Sequence, residues 1–241
     1  MARQLVRAFE GKVTDGSPAE SAPVIALSGS CAAMIKHEIP ELLERDALDR
    51  GKTPATAAGW RRRAEAFADR VVELSDWLDR QEDASAAAGE ARPEAVGSEP
   101  EGRAPLKVAT HVNCHMRRLL GVTEPPLRVL RRAGTEPIVL VDAEQCCGFG
   151  GSFGLLEPDI SAAMADAKLA NLATARDDGA TCLASSDLGC LMHLGGRLGR
   201  RGDDFPVLHL AEVVDLADRG RLTPAGIERA ARAQEATPDA R

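Results

Sequence analysis

Six cysteines give this chain its most reactive chemistry, and two of them are adjacent. They are Cys31, Cys114, Cys146, Cys147, Cys182 and Cys190. The adjacent pair lies in the segment EQCCGFGG, where Gly148, Gly150 and Gly151 permit a tight turn. In such a turn both neighbouring sulfurs can reach one metal centre. Thiolates are the preferred ligands of iron–sulfur clusters, and four of them are the usual complement.

The spacing of the cysteines predicts a cluster whose ligands come from distant loops. Cys114 precedes the pair by 31 intervening residues, and Cys190 follows it after 42. This spacing is neither the compact run of bacterial ferredoxins nor the paired C-x₂-C of a zinc ribbon. We predict that Cys114, Cys146, Cys147 and Cys190 bind one iron–sulfur cluster, of the [4Fe–4S] type. A structural zinc site made of the same cysteines is an alternative, because zinc also takes four thiolates.

Several other residues near these cysteines are candidates for supporting roles. His115 and His193 each lie next to a candidate ligand and could donate hydrogen bonds to cluster sulfur. They could equally lie on helix surfaces. Backbone N–H groups of the glycine-rich loop could donate in the same way. Asp187 could ligate iron weakly, but capping the helix that follows it is the commoner role for an aspartate.

The remaining cysteines and two further histidines are expected to have structural roles. Cys182 falls within a predicted strand and is expected to point into the core. Cys31 is expected to be a free thiol in this chain. His111 and His209 lie on predicted strands and are expected to be core residues with satisfied hydrogen bonds.

Alternating strands and helices position the candidate ligands. Strands are predicted at 106–111, 137–141, 181–184 and 206–210, and helices at 124–132, 158–176, 191–200 and 211–218. Of these, 137–141 is predicted as a buried strand. In the long helix the apolar residues recur at helical spacing: Ile160, Ala163, Met164, Ala167 and Ala170. The alternation predicts an α/β fold with a parallel sheet covered by helices. Each candidate ligand follows a predicted strand, and such sheets bind ligands at the carboxyl ends of their strands.

The chain is predicted to contain two related units. Residues 81–105 are rich in Ala, Glu, Gly and Pro and are predicted to be a flexible linker. The linker separates a first unit, 1–80, from a second, 106–222, which is followed by a polar tail, 223–241. Residues 24–34 resemble 182–192, since both contain a strand, a small turn, one Cys and a helix with Met near its start. We infer an internal duplication of parallel-sheet units with flanking helices, in which the first unit is incomplete.

Composition and charge exclude several classes of function. The formal net charge is −7, and no basic run is long enough to bind nucleic acid. No apolar stretch approaches the length of about 18 residues that a membrane span needs, and the N-terminus lacks a signal peptide. We therefore expect a cytoplasmic protein with reduced cysteines. Without a flavin or nicotinamide fingerprint, the chain is not expected to carry out hydride transfer, and no catalytic residue is identified.

Seven short motifs together resemble a known family. They are SGSCAAM (28–34), NCH (113–115), CCGFGG (146–151), ISAAM (160–164), DLGCLM (187–192), GGRL (195–198) and HLAEV (209–213). The chain resembles the cysteine-rich (CCG) domain shared by heterodisulfide reductase, the glycolate oxidase iron–sulfur subunit and, most strongly, the lactate utilization protein A family. This resemblance implies an iron–sulfur subunit of a complex that oxidises L-lactate to pyruvate. It also implies two partners, a ferredoxin-like iron–sulfur subunit and a third, smaller subunit.

The chain departs from the wider family at two places. Family members carry two cysteine-rich units that end in C-x-x-C, whereas here Asp187 stands where the last such motif would begin. This difference argues against a non-cubane cluster and against thiol–disulfide chemistry like that of heterodisulfide reductase, which is the alternative function. Cys31 lacks the preceding cysteines of a first unit. We expect the natural protein to begin upstream of Met1, where Cys31 would become a ligand; an inactive truncated remnant is the other interpretation.

Overall fold

The chain divides into two units, Met1–Trp77 and Leu78–Arg241. The structure is a computed structural model that describes residues 1–10, 22–87 and 104–235. Both units contain parallel strands flanked by helices, which confirms the α/β class predicted from the sequence. Among the described residues, no helix combines the length and the apolar character needed to cross a bilayer.

Among its described residues, the first unit contains a two-stranded parallel sheet and four helices. Its elements are α1 (Ala2–Ala8), β1 (Val24–Ala26), α2 (Gly29–His37), α3 (Ile39–Asp49), α4 (Pro54–Asp69) and β2 (Val71–Glu73). The longest of these helices, α4, begins at Pro54, directly after Thr53, whose side chain accepts the Thr56 N–H at 3.3 Å. Lys36 on α2 donates to the carbonyl oxygens of Ala68 and Val71, both at 3.0 Å, and so joins α2 to β2.

The second unit contains a four-stranded parallel sheet. Helix α5 (Leu74–Ala87) crosses the division between the units. After it come β3 (Leu106–Thr110), a π-helical turn (Met116–Leu120), α6 (Pro125–Arg132), β4 (Thr135–Val139), α7 (Phe153–Leu156), α8 (Pro158–Asp177), β5 (Leu183–Ser185), α9 (Leu188–Arg200), β6 (Val207–His209), α10 (Leu210–Asp218) and α11 (Pro224–Glu235). The strand order is β4-β3-β5-β6, and every pairing is parallel.

Helices cover both faces of this sheet, and successive strand residues pack against opposite faces. On β3, Ala109 packs with α8 and α9, whereas Val108 packs with α6, α10 and α11. At β5, Leu183 belongs to the first of these cores and Cys182 to the second. This alternation follows from the period of two in a β-strand. It places Cys182 in the core on the face opposite Cys147 and Cys190.

Two features of the second unit differ from the sequence prediction. β4 was expected to be buried, but it forms the edge of the sheet, and Val139 and Val141 are exposed. An apolar run alone does not distinguish an edge strand from a central one. On α8 the apolar spacing predicts the wrong buried face. Ile160, which belongs to the predicted face, is exposed, and the buried side chains lie on a different face of the helix. They are Ser161, Ala165, Lys168, Leu169, Leu172 and Ala175.

The local structure of the two units repeats as the sequence predicts. In each unit a strand is followed by a short turn and a helix, first β1 and α2, then β5 and α9. Cys31 is the third residue of α2, and Cys190 is the third residue of α9. The strand after this helix also pairs in parallel with the strand before it, in β1–β2 and in β5–β6.

The described parts of the predicted linker and of the predicted tail are helical. Helix α5 continues to Ala87, so residues 81–87 are helical, while 88–103 lie outside the described residues. In the predicted polar tail, α11 is a packed helix, and Ile227 is almost completely buried against Leu216 of α10.

A buried carboxylate joins α5 to α6 within the second unit. Asp79, only 3% exposed, accepts hydrogen bonds from Arg128 and from Arg132, the latter at 2.8 Å. The hydrogen bonds from Arg128, with the positive charges of both guanidinium groups, hold the pKa of Asp79 below its usual value. Such bonds to charged groups contribute more to stability than neutral ones do.

We expect Asp79→Asn to lower the free energy of unfolding at pH 7 by about 1–3 kcal/mol. Because the folded protein lowers the pKa of Asp79, its contribution is present above the unfolded value of about 3.9 and is lost as the pH falls through the folded value. Denaturant unfolding measured between neutral pH and acid should therefore show wild type and variant converging. Asp215→Asn, in an exposed pair with Arg219, is the control and should change stability little. A difference between wild type and Asp79→Asn that persists in acid would contradict this account.

Candidate metal centre

The four candidate ligands converge at the carboxyl edge of the second unit's sheet. Cys114 follows β3, the pair Cys146–Cys147 follows β4, and Cys190 follows β5. From β3 the chain continues to β4 on one side, and from β5 it continues to β6 on the other. The direction in which the chain adds successive strands therefore reverses between β3 and β5. Parallel sheets form their binding crevice at such a point.

The sulfur atoms of these cysteines lie in two close pairs. Cys114 Sγ is 3.9 Å from Cys146 Sγ, and Cys147 Sγ is 2.9 Å from Cys190 Sγ. All six cysteines are described, and none forms a disulfide. Cys147 and Cys190 are buried, while Cys114 and Cys146 are partly exposed. The site therefore has a buried half and a half that reaches solvent.

The thiols cannot all ionise in such a small space. Hydrogen bonds from the Cys114 and Cys147 thiols, supported by the Gly148 N–H at 3.4 Å, lower the pKa of Cys146 to about 2. The same hydrogen bonds to Cys146, together with burial, raise the pKa values of Cys114 and Cys147. The hydrogen bonds thus favour ionisation of Cys146 and disfavour ionisation of Cys114 and Cys147. A metal would allow all of them to ionise, because coordination deprotonates a thiol.

The glycine-rich turn fits closely against α8. Gly148 has φ +90°, and a Cβ added there would lie 2.5 Å from the Ser161 carbonyl oxygen and 2.9 Å from Met164 Cβ. The Ser161 hydroxyl donates to the Gly148 carbonyl at 2.7 Å, and His193 Nε2 lies 3.2 Å from that hydroxyl oxygen. His193 therefore contacts Ser161, which holds the turn. A side chain at Gly148 would therefore force the turn or α8 to shift.

Gly148→Ala should lower both the stability and the metal content of the protein. The substitution combines a left-handed backbone with a steric clash, and we expect a loss of about 2–4 kcal/mol in the free energy of unfolding. Gly151→Ala is the matched control, because Gly151 also has a positive φ, of +60°, but has nothing within 4 Å of an added Cβ. It should cost about 1–2 kcal/mol and preserve metal content. Equal effects of the two substitutions on metal content would show that the close approach at Gly148 does not matter.

A buried lysine holds the loop that precedes the cysteine pair. Lys168 on α8 is fully buried and donates to the carbonyl oxygens of Asp142 at 3.0 Å and Ala143 at 3.3 Å. Asp142 has φ +50°, a conformation that non-glycine residues adopt only when their surroundings enforce it. Burial lowers the pKa of Lys168, while the nearby Cys147 opposes this shift. Sequence analysis missed this residue.

Lys168→Met should destabilise the second unit and loosen the loop. Loss of the charge-assisted hydrogen bonds should lower the free energy of unfolding by about 1–3 kcal/mol. Hydrogen exchange should also become faster at the amides of 142–147. The control is Lys107→Met, because Lys107 makes an exposed hydrogen bond to the Asp178 carbonyl at 3.0 Å; this variant should change stability by less than about 0.5 kcal/mol. Unchanged exchange in the loop would rule out the positioning role of Lys168.

Asp187 caps α9 and fixes the backbone around Cys190. One carboxylate oxygen accepts the Cys190 N–H at 3.1 Å, and the other accepts the side-chain amide of Asn113 at 3.2 Å. The Asn113 side-chain oxygen in turn accepts the Met116 N–H at 2.9 Å. This buried chain of hydrogen bonds joins the loop after β3 to the loop after β5. Asn113, which the sequence shows only as part of the NCH motif, thereby positions Cys114 relative to Cys190.

The histidines fall into different environments. His115 is exposed, with Nδ1 3.6 Å from Cys114 Sγ. His209 is half-buried and is therefore not the core residue that was expected, but its Nδ1 accepts the Ala211 N–H at 3.1 Å and caps α10. The expectation of satisfied hydrogen bonds is wrong for His111. Its ring is buried, both ring nitrogens are without a partner, and ring nitrogen and sulfur atoms of His111, Cys147 and Cys190 lie within 4.8 Å of one another.

A protein-family comparison matches the part of the chain that contains this site. A family model for the cysteine-rich domain (CCG) matches residues 108–195, which span β3 to α9. The fold and the site thus define a protein with a cysteine-rich CCG domain, in which sulfur and imidazole donors form a group that could hold a metal.

Curated relatives extend the comparison to most of the chain. Lactate utilization protein A of Geobacillus sp. (strain WCH70) is 37% identical over 193 residues, which cover 80% of this chain and 69% of that protein. The proteins of the same name from Geobacillus thermodenitrificans and Bacillus velezensis are 36% and 35% identical, and each alignment covers 88% of this chain and 74% of the relative. The chain belongs to the lactate utilization protein A family.

Proposed function

We propose that the second unit binds an iron–sulfur cluster, of the [4Fe–4S] type, through Cys114, Cys146, Cys147 and Cys190. The observation that carries this proposal is the convergence of four reduced thiols at one crevice of a parallel sheet. Thiolates suit iron, and four of them complete a cubane cluster. A bound cluster would supply one-electron redox chemistry.

The residues around the thiols suit a negatively charged centre. The Gly148 N–H points at Cys146 Sγ, and hydrogen bonds to sulfur raise the reduction potential of such clusters. Lys168 brings a positive charge close to Cys147 and Cys146. Burial of Cys147 and Cys190 excludes water from one side of the site. These features favour a redox-active iron–sulfur cluster, whose charge changes by one electron, over a structural zinc ion.

We further propose that the chain passes electrons within a cytoplasmic complex that oxidises L-lactate to pyruvate. Lactate is suggested by the names of the relatives. Loss of an electron pair from lactate needs an acceptor chain, and a cluster in this chain would be one member of it. The partners would be a ferredoxin-like iron–sulfur subunit and a third subunit.

The exposed half of the site is where such a partner would exchange electrons. Cys114 and Cys146 reach the surface there, whereas Cys147 and Cys190 do not. Exposed apolar side chains lie on the elements around the glycine-rich loop, and Phe149 from the loop lies against Gly189 of α9. The others are Leu155, Leu156, Ile160, Leu188 and Met192. We propose that some of these exposed side chains contribute to the surface that the partner contacts.

Iron and sulfide analysis of anaerobically prepared protein, with an EPR spectrum of the reduced sample, tests the proposal. We expect about four irons per chain and a reduced-cluster signal in the wild type. Cys147→Ser should lose most of this iron and the signal, because it removes a buried thiolate. Cys31→Ser is the matched control, since Cys31 is exposed on α2 in the first unit, and it should keep both.

The electron-transfer step has its own measurement. L-Lactate should produce the reduced-cluster signal when the two partner subunits are added, and should fail to do so with Cys147→Ser. Stoichiometric zinc in place of iron, or no metal after anaerobic reconstitution, would contradict the proposed cluster. A cluster that dithionite reduces but that lactate and the partners do not would contradict the proposed place in lactate oxidation.

A further inference from the structure

His111 is a buried polar residue at the carboxyl end of β3. It follows the strand directly, and its backbone N–H donates to the Ala184 carbonyl of β5 at 2.9 Å. The residue is 2% exposed, and neither Nδ1 nor Nε2 has a hydrogen-bond partner. A buried donor or acceptor without a partner is destabilising, so each one in a folded protein needs an explanation. The sheet thus fixes an imidazole whose hydrogen bonds the described residues do not supply.

The imidazole lies beside the buried half of the thiol cluster. A ring nitrogen of His111 and the sulfurs of Cys147 and Cys190 lie within 4.8 Å of one another. In the structure the Cys147 thiol donates a hydrogen bond to Cys190 Sγ at 2.9 Å. Coordination deprotonates thiols, so this hydrogen bond would be lost on metal binding, and both sulfurs would become negatively charged acceptors. An imidazole carries at least one N–H in both its neutral and its charged form, and His111 could supply the missing donor.

Other donors near the thiols already have partners or lie on the exposed side. His193 is engaged with Ser161, and His115 is exposed. Lys168 brings a positive charge, but it donates to two carbonyl oxygens of the loop before the cysteine pair. Among the described residues of the second unit, His111 is the histidine whose two ring nitrogens are buried and without a partner.

We propose that His111 donates a hydrogen bond from its imidazole N–H to a sulfur atom of the bound cluster, on the side of Cys147 and Cys190. The four thiolates complete the coordination of a cubane, so sulfur, and not iron, is what the imidazole can reach. This inference rests on the proposed cluster and deepens it, because it assigns a residue that sets the midpoint potential.

The hydrogen bond should make the cluster easier to reduce. Reduction adds one electron and places more negative charge on the sulfurs, so an N–H donor stabilises the reduced cluster more than the oxidised one. Hydrogen bonds to charged acceptors are also stronger than those between neutral groups. The reduction potential rises for this reason. The proton stays on the imidazole throughout.

A redox titration of the anaerobically prepared full chain, followed by the reduced-cluster EPR signal, tests the effect on the potential. His111→Leu should lower the midpoint potential, because leucine is apolar and has no donor. This variant removes an unpaired polar group from the core, so it should still fold. Thr110→Val is the matched control, since Thr110 is the preceding buried residue and its hydroxyl donates to the Val108 carbonyl at 3.1 Å. It should keep the wild-type potential.

Pulsed EPR of the reduced protein grown with ¹⁵N-histidine identifies the donor. An imidazole that is hydrogen-bonded to cluster sulfur should give a weak nitrogen coupling, whereas one bound to iron gives a strong coupling. The weak coupling of the wild type should be absent from His111→Leu and present in Thr110→Val. It should also be absent from His111→Gln, which retains a polar side chain, so the result does not depend on the folding of one variant.

The outcomes separate this inference from the proposed function. If either the potential or the nitrogen coupling is unchanged in His111→Leu, the proposed role of His111 is wrong and the cluster still stands. A strong coupling in the wild type, or an equal fall in potential in Thr110→Val, would also overturn that role. Zinc in place of iron, or no reduced-cluster signal, would overturn the cluster and this inference together.

Discussion

Repulsion between negative charges on four crowded thiols is the constraint on which the rest of the site depends. Hydrogen bonds from the Cys114 and Cys147 thiols lower the pKa of Cys146, and the same hydrogen bonds, with burial and the negative charges of neighbouring sulfurs, raise the pKa values of Cys114 and Cys147. The neighbouring groups oppose this repulsion, through the Gly148 N–H and the positive charge of Lys168. The second unit is thus arranged to hold more negative charge than its sulfurs can hold alone.

The parallel sheet supplies the rigidity that this arrangement needs. Three separate strands direct their following loops to one edge, and helices on both faces fix the strands by burying alternate residues. Side-chain hydrogen bonds then refine the loops, through Asp187 and Asn113 on one side and Ser161 on the other. In the first unit the same strand–turn–helix places Cys31 at the third position of α2. The repeat therefore preserves the geometry of a ligand position, even where the described residues of that unit bring no second cysteine to it.

In the second unit, the sequence was sufficient to predict the order of the strands and of the main helices, and the position of each of the four cysteines after a strand. Both depend on local signals, namely alternating patterns and the placement of each cysteine after a strand. The buried face of α8 could not be predicted, because alanines lie all around that helix and the long side chain of Lys168 is buried. The exposure of β4 also depends on the strand order, which a single apolar run does not reveal.

His111 was missed for a different reason. An isolated histidine next to a strand is usually a core residue, and only the distances to Cys147 and Cys190 change that interpretation. One signal was nevertheless present. His111 directly follows β3, so it satisfies the same strand-end criterion that selected the cysteines. Applying that criterion to every metal-binding residue type would have included it.

The origin of the ligands in three distant loops has a mechanical consequence. A group bonded to Cys114, to the Cys146–Cys147 pair and to Cys190 would act as a cross-link between three loops that lie far apart in the chain. Cross-links of this kind restrict the unfolded chain more than the folded one, and binding free energy becomes folding free energy. Cofactor loss and unfolding of the second unit would then be coupled, so that conditions that remove the metal would also expose the chain to degradation.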